Sequence, residues 1–226
     1  KPIQNKIQTQ LTKLQHRGQD SYGYFLLSPT LNHVHIRESG TIKKHSEIDD
    51  CFIGLGHTRY ATSYQDDKQS NLNNLDSIQP VKVINCSGNK LVFCFNGNIN
   101  NLNKLVTDFQ LTNLNKNDSL TDTMVLKQIL LECSSNNLEE LLINMVQKIK
   151  GVFNMLVLDT SRKILYALKD MSGNRPLCIG QNSSGISLAS ESIALGDYTY
   201  QRELESGEIV RISNSGFKNI YLPNLN

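Results

Sequence analysis

Ile3, Ile7, Leu11 and Leu14 recur at three- and four-residue spacing, which predicts an amphipathic helix over residues 3–15, with Gly18 placed to end it. The pattern then shortens to strand-like runs. Tyr22–Leu27 reads as a strand, Ser28-Pro29-Thr30 as a turn, and His33–Arg37 as a weakly alternating partner that can pair back. Cys51–Leu55 is a short apolar strand, followed by a polar, Asn-rich stretch over residues 63–78 that predicts a long surface loop. Val81–Ile84 and Leu91–Phe95 flank Ser87-Gly88-Asn89 and predict a hairpin. Helical periodicity returns at Leu102–Phe109, Leu120–Cys133 and Leu138–Ile149, the last closed by Gly151. Strands follow at Val152–Leu158, Ile164–Leu168, Leu177–Ile179, Ile186–Ala189 and Glu208–Ile212, with a weak final strand in the tail.

A helix, several strands, a helical block and several more strands predict an α+β fold of packed layers rather than alternating βαβ units. There is no internal repeat or linker, so residues 1–226 read as a single domain. The composition, 38% hydrophobic, is sufficient for a real core. A net charge of +2, with scattered Lys and Arg, gives no footprint for a nucleic-acid partner. No apolar run reaches the roughly 18 residues of a membrane span, and no membrane partner is expected. The five cysteines form no C-x-x-C pair. Their number and spacing fit neither a disulfide framework nor a zinc site, which predicts a reducing, cytoplasmic setting and no cofactor or metal.

Four polar stretches stand at the ends of predicted elements: "LQHRGQDS" (Leu14–Ser21), "GHTRYATS" (Gly56–Ser63), "FNGN" (Phe95–Asn98) and "SLTDT" (Ser119–Thr123). Each has an ordinary structural reading. Asn96-Gly97 is a common turn dipeptide, Asp122 can complete a capping box begun by Ser119, and Arg59 can be a surface cation. Together they suit a zwitterion. A guanidinium pairs bidentately with a carboxylate, a carboxylate pairs with an ammonium, and an Asn amide beside a Gly N–H supplies two donors for one oxygen. The residues therefore predict a small-molecule site with oxyanion stabilisation.

In this order, with "KDMSGNRPLCIG", "LASESIAL" and "ESGEIVRI" continuing the pattern, the stretches resemble the class II (N-terminal-nucleophile) glutamine amidotransferases. The likeness is strongest to the glutaminase domain of the amidophosphoribosyltransferases and runs from about Lys1 to about Ile212. It implies a four-layer αββα sandwich, two antiparallel sheets between helices, the Ntn-hydrolase fold. It implies that glutamine is hydrolysed to glutamate and that the ammonia passes to an acceptor, in purine synthesis. Arg59 would then hold the α-carboxylate and Asp122 the α-ammonium. The Asn96 side chain and the Gly97 N–H would form the oxyanion hole, with Tyr60 and Thr62 lining the pocket.

The sequence departs from the family in identifiable places. The family nucleophile is an N-terminal Cys on a first strand; this sequence opens with Lys1, and that strand is expected ahead of it. As given, the chain is therefore expected to be inactive. The family's phosphoribosyltransferase domain has no counterpart here, so the acceptor chemistry is expected from a separate synthase or transferase partner. Homo-oligomer formation is compatible with the sequence. Phe95 stands where the family usually has His before N-G-N, while Lys169 and Asn174 alter a segment expected to close the far side of the fold. Two other readings stay open: an inactive glutamine-binding regulatory module, and an N-terminal-nucleophile hydrolase of another amide.

Overall fold

The computed structural model describes residues 2–46, 48, 50–60, 78–114, 119–132 and 137–223. Its elements are helix α1 (Ile3–Lys13), strands β1 (Ser21–Leu27), β2 (His33–Ser39), β3 (Ile53–Arg59), β4 (Val81–Ile84) and β5 (Lys90–Ile99), helices α2 (Leu102–Asp108), α3 (Asp122–Glu132) and α4 (Leu138–Lys148), and strands β6 (Gly151–Asp159), β7 (Ile164–Lys169), β8 (Cys178–Asn182), β9 (Gly185–Ala189), β10 (Thr199–Glu203), β11 (Ile209–Ser213) and β12 (Gly216–Tyr221). The predicted 63–78 loop falls, except for Ile78, outside the described residues, as do Thr62 and Cys133.

One layer is a six-stranded antiparallel sheet in the order β12-β11-β7-β6-β5-β4. Its outer face, with Phe93, Phe95, Phe153, Met155 and Val157, packs on Leu105, Leu126, Ile129, Leu142 and Met145 of α2–α4. The inner face carries the alternate residues, as a period of two requires: Val92, Cys94 and Leu158 meet Phe25, Leu27 and Leu55 of β1 and β3. Ala167 and Val210 meet Leu177 and Ile179, at the start of β8, in the same way. The second sheet layer is in two halves, β2-β1-β3 and β10-β8-β9. Helix α1 covers the first half through Ile7 and Leu11, and a short 3-10 turn, Ser192–Leu195, covers the second. The order is helix, sheet, sheet, helix: an α+β sandwich.

Two predicted strands run further than the hydrophobic pattern suggested. β3 continues through His57-Thr58-Arg59, paired to Gly23, Tyr22 and Ser21 of β1. β5 continues through Asn96-Gly97 to Ile99, paired to Asn154, Phe153 and Gly151 of β6. The ladder overrides the turn preference of Asn-Gly, because a committed neighbouring strand supplies the backbone partners a turn would otherwise provide. The reading of Asn96-Gly97 as a turn is thereby corrected. The capping reading is corrected too: α3 begins at Asp122 itself, and Thr121, not Ser119, caps it, its Oγ1 accepting from Met124 N at 3.3 Å.

β10 has no precursor in the sequence reading. Thr199, Tyr200, Gln201 and Glu203 are all exposed, so the strand shows no apolar alternation. It is held by Arg202, whose two terminal nitrogens donate to the fully buried Glu208 carboxylate at 2.8 and 2.7 Å.

Candidate active site at the end of the sheet interface

The apolar layer between the sheets becomes polar at one end. On β3 the inward residues are Leu55, His57 and Arg59; on β5 they are Val92, Cys94 and Asn96. The two ends are tied together by His57, whose Nε2 lies 3.1 Å from the Phe95 carbonyl oxygen. A carbonyl only accepts, so Nε2 carries the proton. Burial pushes the imidazole down to about 4, and the Arg59 charge adds to the shift against the Phe95 bond. His57 is therefore neutral at pH 7, and its Nδ1 is a bare acceptor.

Gln79 completes the arrangement at the strand edge. β4 stops at Val81, opposite Phe93. Two residues on, the buried Gln79 side chain replaces a strand: its Nε2 donates to Phe95 O at 3.1 Å and its Oε1 accepts from Phe95 N. Phe95 therefore directs its backbone groups away from β6. Gly97, two residues further, does the same, because Phe153 opposite it is bonded on its other side to Asp170: Phe153 N donates to Asp170 Oδ2 at 3.0 Å and Phe153 O accepts from Asp170 N at 3.0 Å. The Gly97 N–H thus points past the end of β4. Ile99 has the same orientation, and its N–H donates to Asp122 Oδ2 at 3.2 Å. Asp122 is half-buried at the first residue of α3, and burial raises its carboxyl above the usual range, offset in part by the Ile99 N–H.

Gly97 has no room for a side chain. A Cβ there would stand 2.4 Å from the Phe153 Cβ and 2.5 Å from the Val152 carbonyl oxygen. Gly18 is constrained in the same way: a Cβ would fall 2.4 Å from Arg59 N. The "LQHRGQDS" stretch thereby buttresses the backbone that carries Arg59, and Asp20 N donates to Arg59 O at 3.0 Å.

Asn96 and Gly97 lie on β5, Asp122 is tied to its last residue, Ile99, and Arg59 ends β3 two residues beyond the His57 contact with Phe95. Tyr60 follows β3 and stands exposed, and Thr62 is outside the described residues. Three neighbours carried no role in the sequence reading: Gln79, Asn154 and Arg175. Arg175 belongs to the segment expected on the far side of the fold, yet its Nη1 donates to Asn96 Oδ1 at 3.3 Å, so that expectation is corrected. Its stretch, "KDMSGNRPLCIG", belongs to the family pattern, but nothing in the sequence pointed this arginine at Asn96.

Five buried side-chain polar atoms among the described residues have no hydrogen-bond partner, and four collect here: Ser21 Oγ, His57 Nδ1, Asn154 Oδ1 and Arg175 Nε. Ser21 is the cross-strand partner of Arg59 and Asn154 that of Asn96. Unpaired buried polar atoms are rare and costly. Four at one end of an apolar layer mark the place where the sheet interface turns polar. No group of three His, Cys, Asp or Glu side chains suited to a metal ion occurs among the described residues, and none of their helices is long and apolar enough to cross a membrane.

Comparison with known proteins converges on this fold. The amidophosphoribosyltransferase of Methanocaldococcus jannaschii is 28% identical over 221 residues, which cover 94% of this chain and 44% of that protein. That of Bacillus subtilis is 28% identical over 219 residues, covering 92% and 43%. The chain thus spans less than half the length of these relatives. The solved structure of the glutamine phosphoribosylpyrophosphate amidotransferase from B. subtilis, complexed with ADP and GMP, superposes with a TM-score of 0.76 at 26% identity, covering 95% of this chain and 46% of that one. The family described as a glutamine amidotransferase domain matches residues 69–197, a span that includes Asn96, Gly97, Asp122, Asn154 and Arg175. Since that match covers more than half of the sequence, the chain belongs to the glutamine amidotransferase domain family.

Proposed function

We propose that this domain binds free glutamine at the end of β5 and hydrolyses its side-chain amide, releasing ammonia to an acceptor supplied elsewhere, in purine synthesis. The observation that carries the reading is the cluster of unpartnered buried polar atoms beside Arg59, Asn96 and Gly97. Arg59 takes the α-carboxylate and Asp122 the α-ammonium, with Tyr60 and Thr62 at the pocket wall. The Asn96 Nδ2 and the Gly97 N–H receive the amide oxygen as it gains negative charge. Donors fixed in a buried site stabilise that charge without reorganising at the moment of reaction.

The nucleophile in this reading is the thiol of an N-terminal Cys, with its own α-amine as base. A groove of about 720 Å³ supports its position. The groove runs between the facing edges of β3 and β9, over α1 and the inner face of the six-stranded sheet. Helix α1 lies parallel to β3: Ile7 sits over Gly54, Leu11 over Gly56, and Leu14 O accepts from Thr58 Oγ1 at 3.5 Å. A strand leading into α1 through this groove would run antiparallel to β3. Eleven helical residues rise about 16 Å, the length of about five strand residues. Its first residue would then lie at the Arg59 end, and its backbone would join the two half-sheets into one.

The test is glutamate release from glutamine by the full natural protein, processed to a leading Cys. Turnover lost on Cys→Ser exchange supports the reading, and no turnover overturns it. Saturable glutamine binding without turnover, abolished by Arg59→Ala, would instead establish a binding module. Turnover of amides lacking the free amino-acid end would establish a different hydrolase. A transferase or synthase partner is expected to consume the ammonia.

A further inference from the structure

The guanidinium of Arg175 meets the Asn96 side chain in a way that fixes the direction of the amide. A guanidinium offers donors and no acceptor, so the amide atom it contacts is the oxygen; the contact is Nη1 to Oδ1 at 3.3 Å. With Oδ1 engaged, Nδ2 faces the opposite way. A cation on the carbonyl oxygen also draws electron density from the amide and strengthens Nδ2–H as a donor. We propose that Arg175 is a positioning residue for the oxyanion hole, aiming and polarising the Asn96 amide. The catalytic part of this inference rests on the function proposed above.

The support behind Arg175 matches that role. The two residues of β6 that lie opposite the proposed donors also hold the Arg175 loop. Asn154, opposite Asn96, donates from Nδ2 to the carbonyls of Arg175 and Pro176 at 3.4 and 2.8 Å. Phe153, opposite Gly97, donates its N–H to Asp170 Oδ2 at 3.0 Å. The buried Asp170 then ties the loop with its other oxygen, Oδ1, accepting from Ser172 N at 2.8 Å, from Gly173 N at 3.1 Å and from the Ser172 hydroxyl. One strand therefore sets both the donors and the arginine that aims one of them. The remaining Nε–H of Arg175 is buried without a partner, so the side chain is not placed there by a rival ion pair through that nitrogen.

The experiment uses the full natural enzyme with Arg175→Met and Arg175→Lys, alone and combined with Asn96→Ala. An aiming residue acts on the transition state, so Arg175→Met is expected to lower kcat about 10- to 100-fold with KM for glutamine changed less than about twofold. Arg175→Lys should restore part of the loss, and Arg175→Met should add nothing once Asn96 is Ala. A crystal structure of the Arg175→Met enzyme should show the Asn96 amide rotated or in two orientations. An unmoved Asn96, additive losses in the double variant, or a rise in KM at constant kcat would each overturn the assignment. Absence of turnover in the parent enzyme would overturn the function itself, and the crystallographic comparison would still decide whether Arg175 holds Asn96.

Discussion

Asp122 Oδ2 accepts the Ile99 N–H at 3.2 Å, which anchors a carboxylate to the same strand end that presents Asn96 and Gly97. Burial raises the Asp122 pKa, so its surroundings in the protein favour the neutral acid more than water does. Bound ammonium favours the charged form. Glutamine binding should therefore release a proton near that pKa, and KM should rise as pH falls through it. A pH profile of KM checks this, and Asp122→Asn should raise KM and remove that acid limb.

Arg59 is the other half of the proposed clamp. Calorimetry should show Arg59→Ala weakening glutamine binding by about 2–5 kcal/mol, the cost of leaving a desolvated carboxylate without its cation. Arg59→Lys should recover part of this, since an ammonium retains the charge and loses the two-pronged geometry.

Gly97→Ala forces a methyl to within 2.4 Å of the Phe153 Cβ. β5 must shift away from β6, at about 1–3 kcal/mol of stability. Because the displaced group is the N–H itself, kcat should fall by more than the stability loss accounts for. Thermal denaturation and steady-state kinetics on one preparation separate the two effects.

Two half-buried histidines are held neutral: His57 against Phe95 O, and His35, whose Nε2 meets Pro80 O at 2.9 Å. Burial pushes each down to about 4 from an ordinary value of 6.5. The unfolded chain then binds more protons than the folded one between about pH 6.5 and 4, so their contribution is present above 6.5 and lost as pH falls toward 4. The slope is at most about 1.4 kcal/mol per pH unit for each residue. Urea denaturation across this range should show it, and His57→Gln should remove about half of it, leaving the part carried by His35.

Arg202 is the partner of Glu208, whose side chain is 0% exposed while that of Arg202 is 32% exposed. Burial of an uncompensated carboxylate is expensive, so Arg202→Ala should cost about 3–5 kcal/mol, and Arg202→Ala with Glu208→Gln less. A double-mutant cycle in denaturant measures the difference.

Helices α1, α3 and α4 and the apolar strands were legible because their side chains repeat with the period of the element. The polar strand ends were not. His57-Thr58-Arg59 and Asn96-Gly97 read as breaks because their inward positions carry hydrogen-bonding groups, and that same substitution turns this end of the sheet interface polar. β10 was invisible for a different reason: as an exposed edge it needs no apolar face. The charges at Arg59 and Asp122 were picked out by residue type and order. Arg175 and Gln79 were missed because each acts through one backbone or side-chain group brought close by the fold, and neither leaves a spacing pattern along the chain.

Gln79 has a consequence for how such a site opens and closes over evolutionary time. Its amide substitutes for one peptide unit of a neighbouring strand, so β4 can end early without orphaning Phe95. Two more ladder rungs on β4, one opposite Phe95 and one opposite Gly97, would cover the Gly97 N–H with a carbonyl. Access to that donor is governed by a count of ladder rungs, and such a count changes by insertion or deletion in whole steps, where charge or pocket shape can drift gradually.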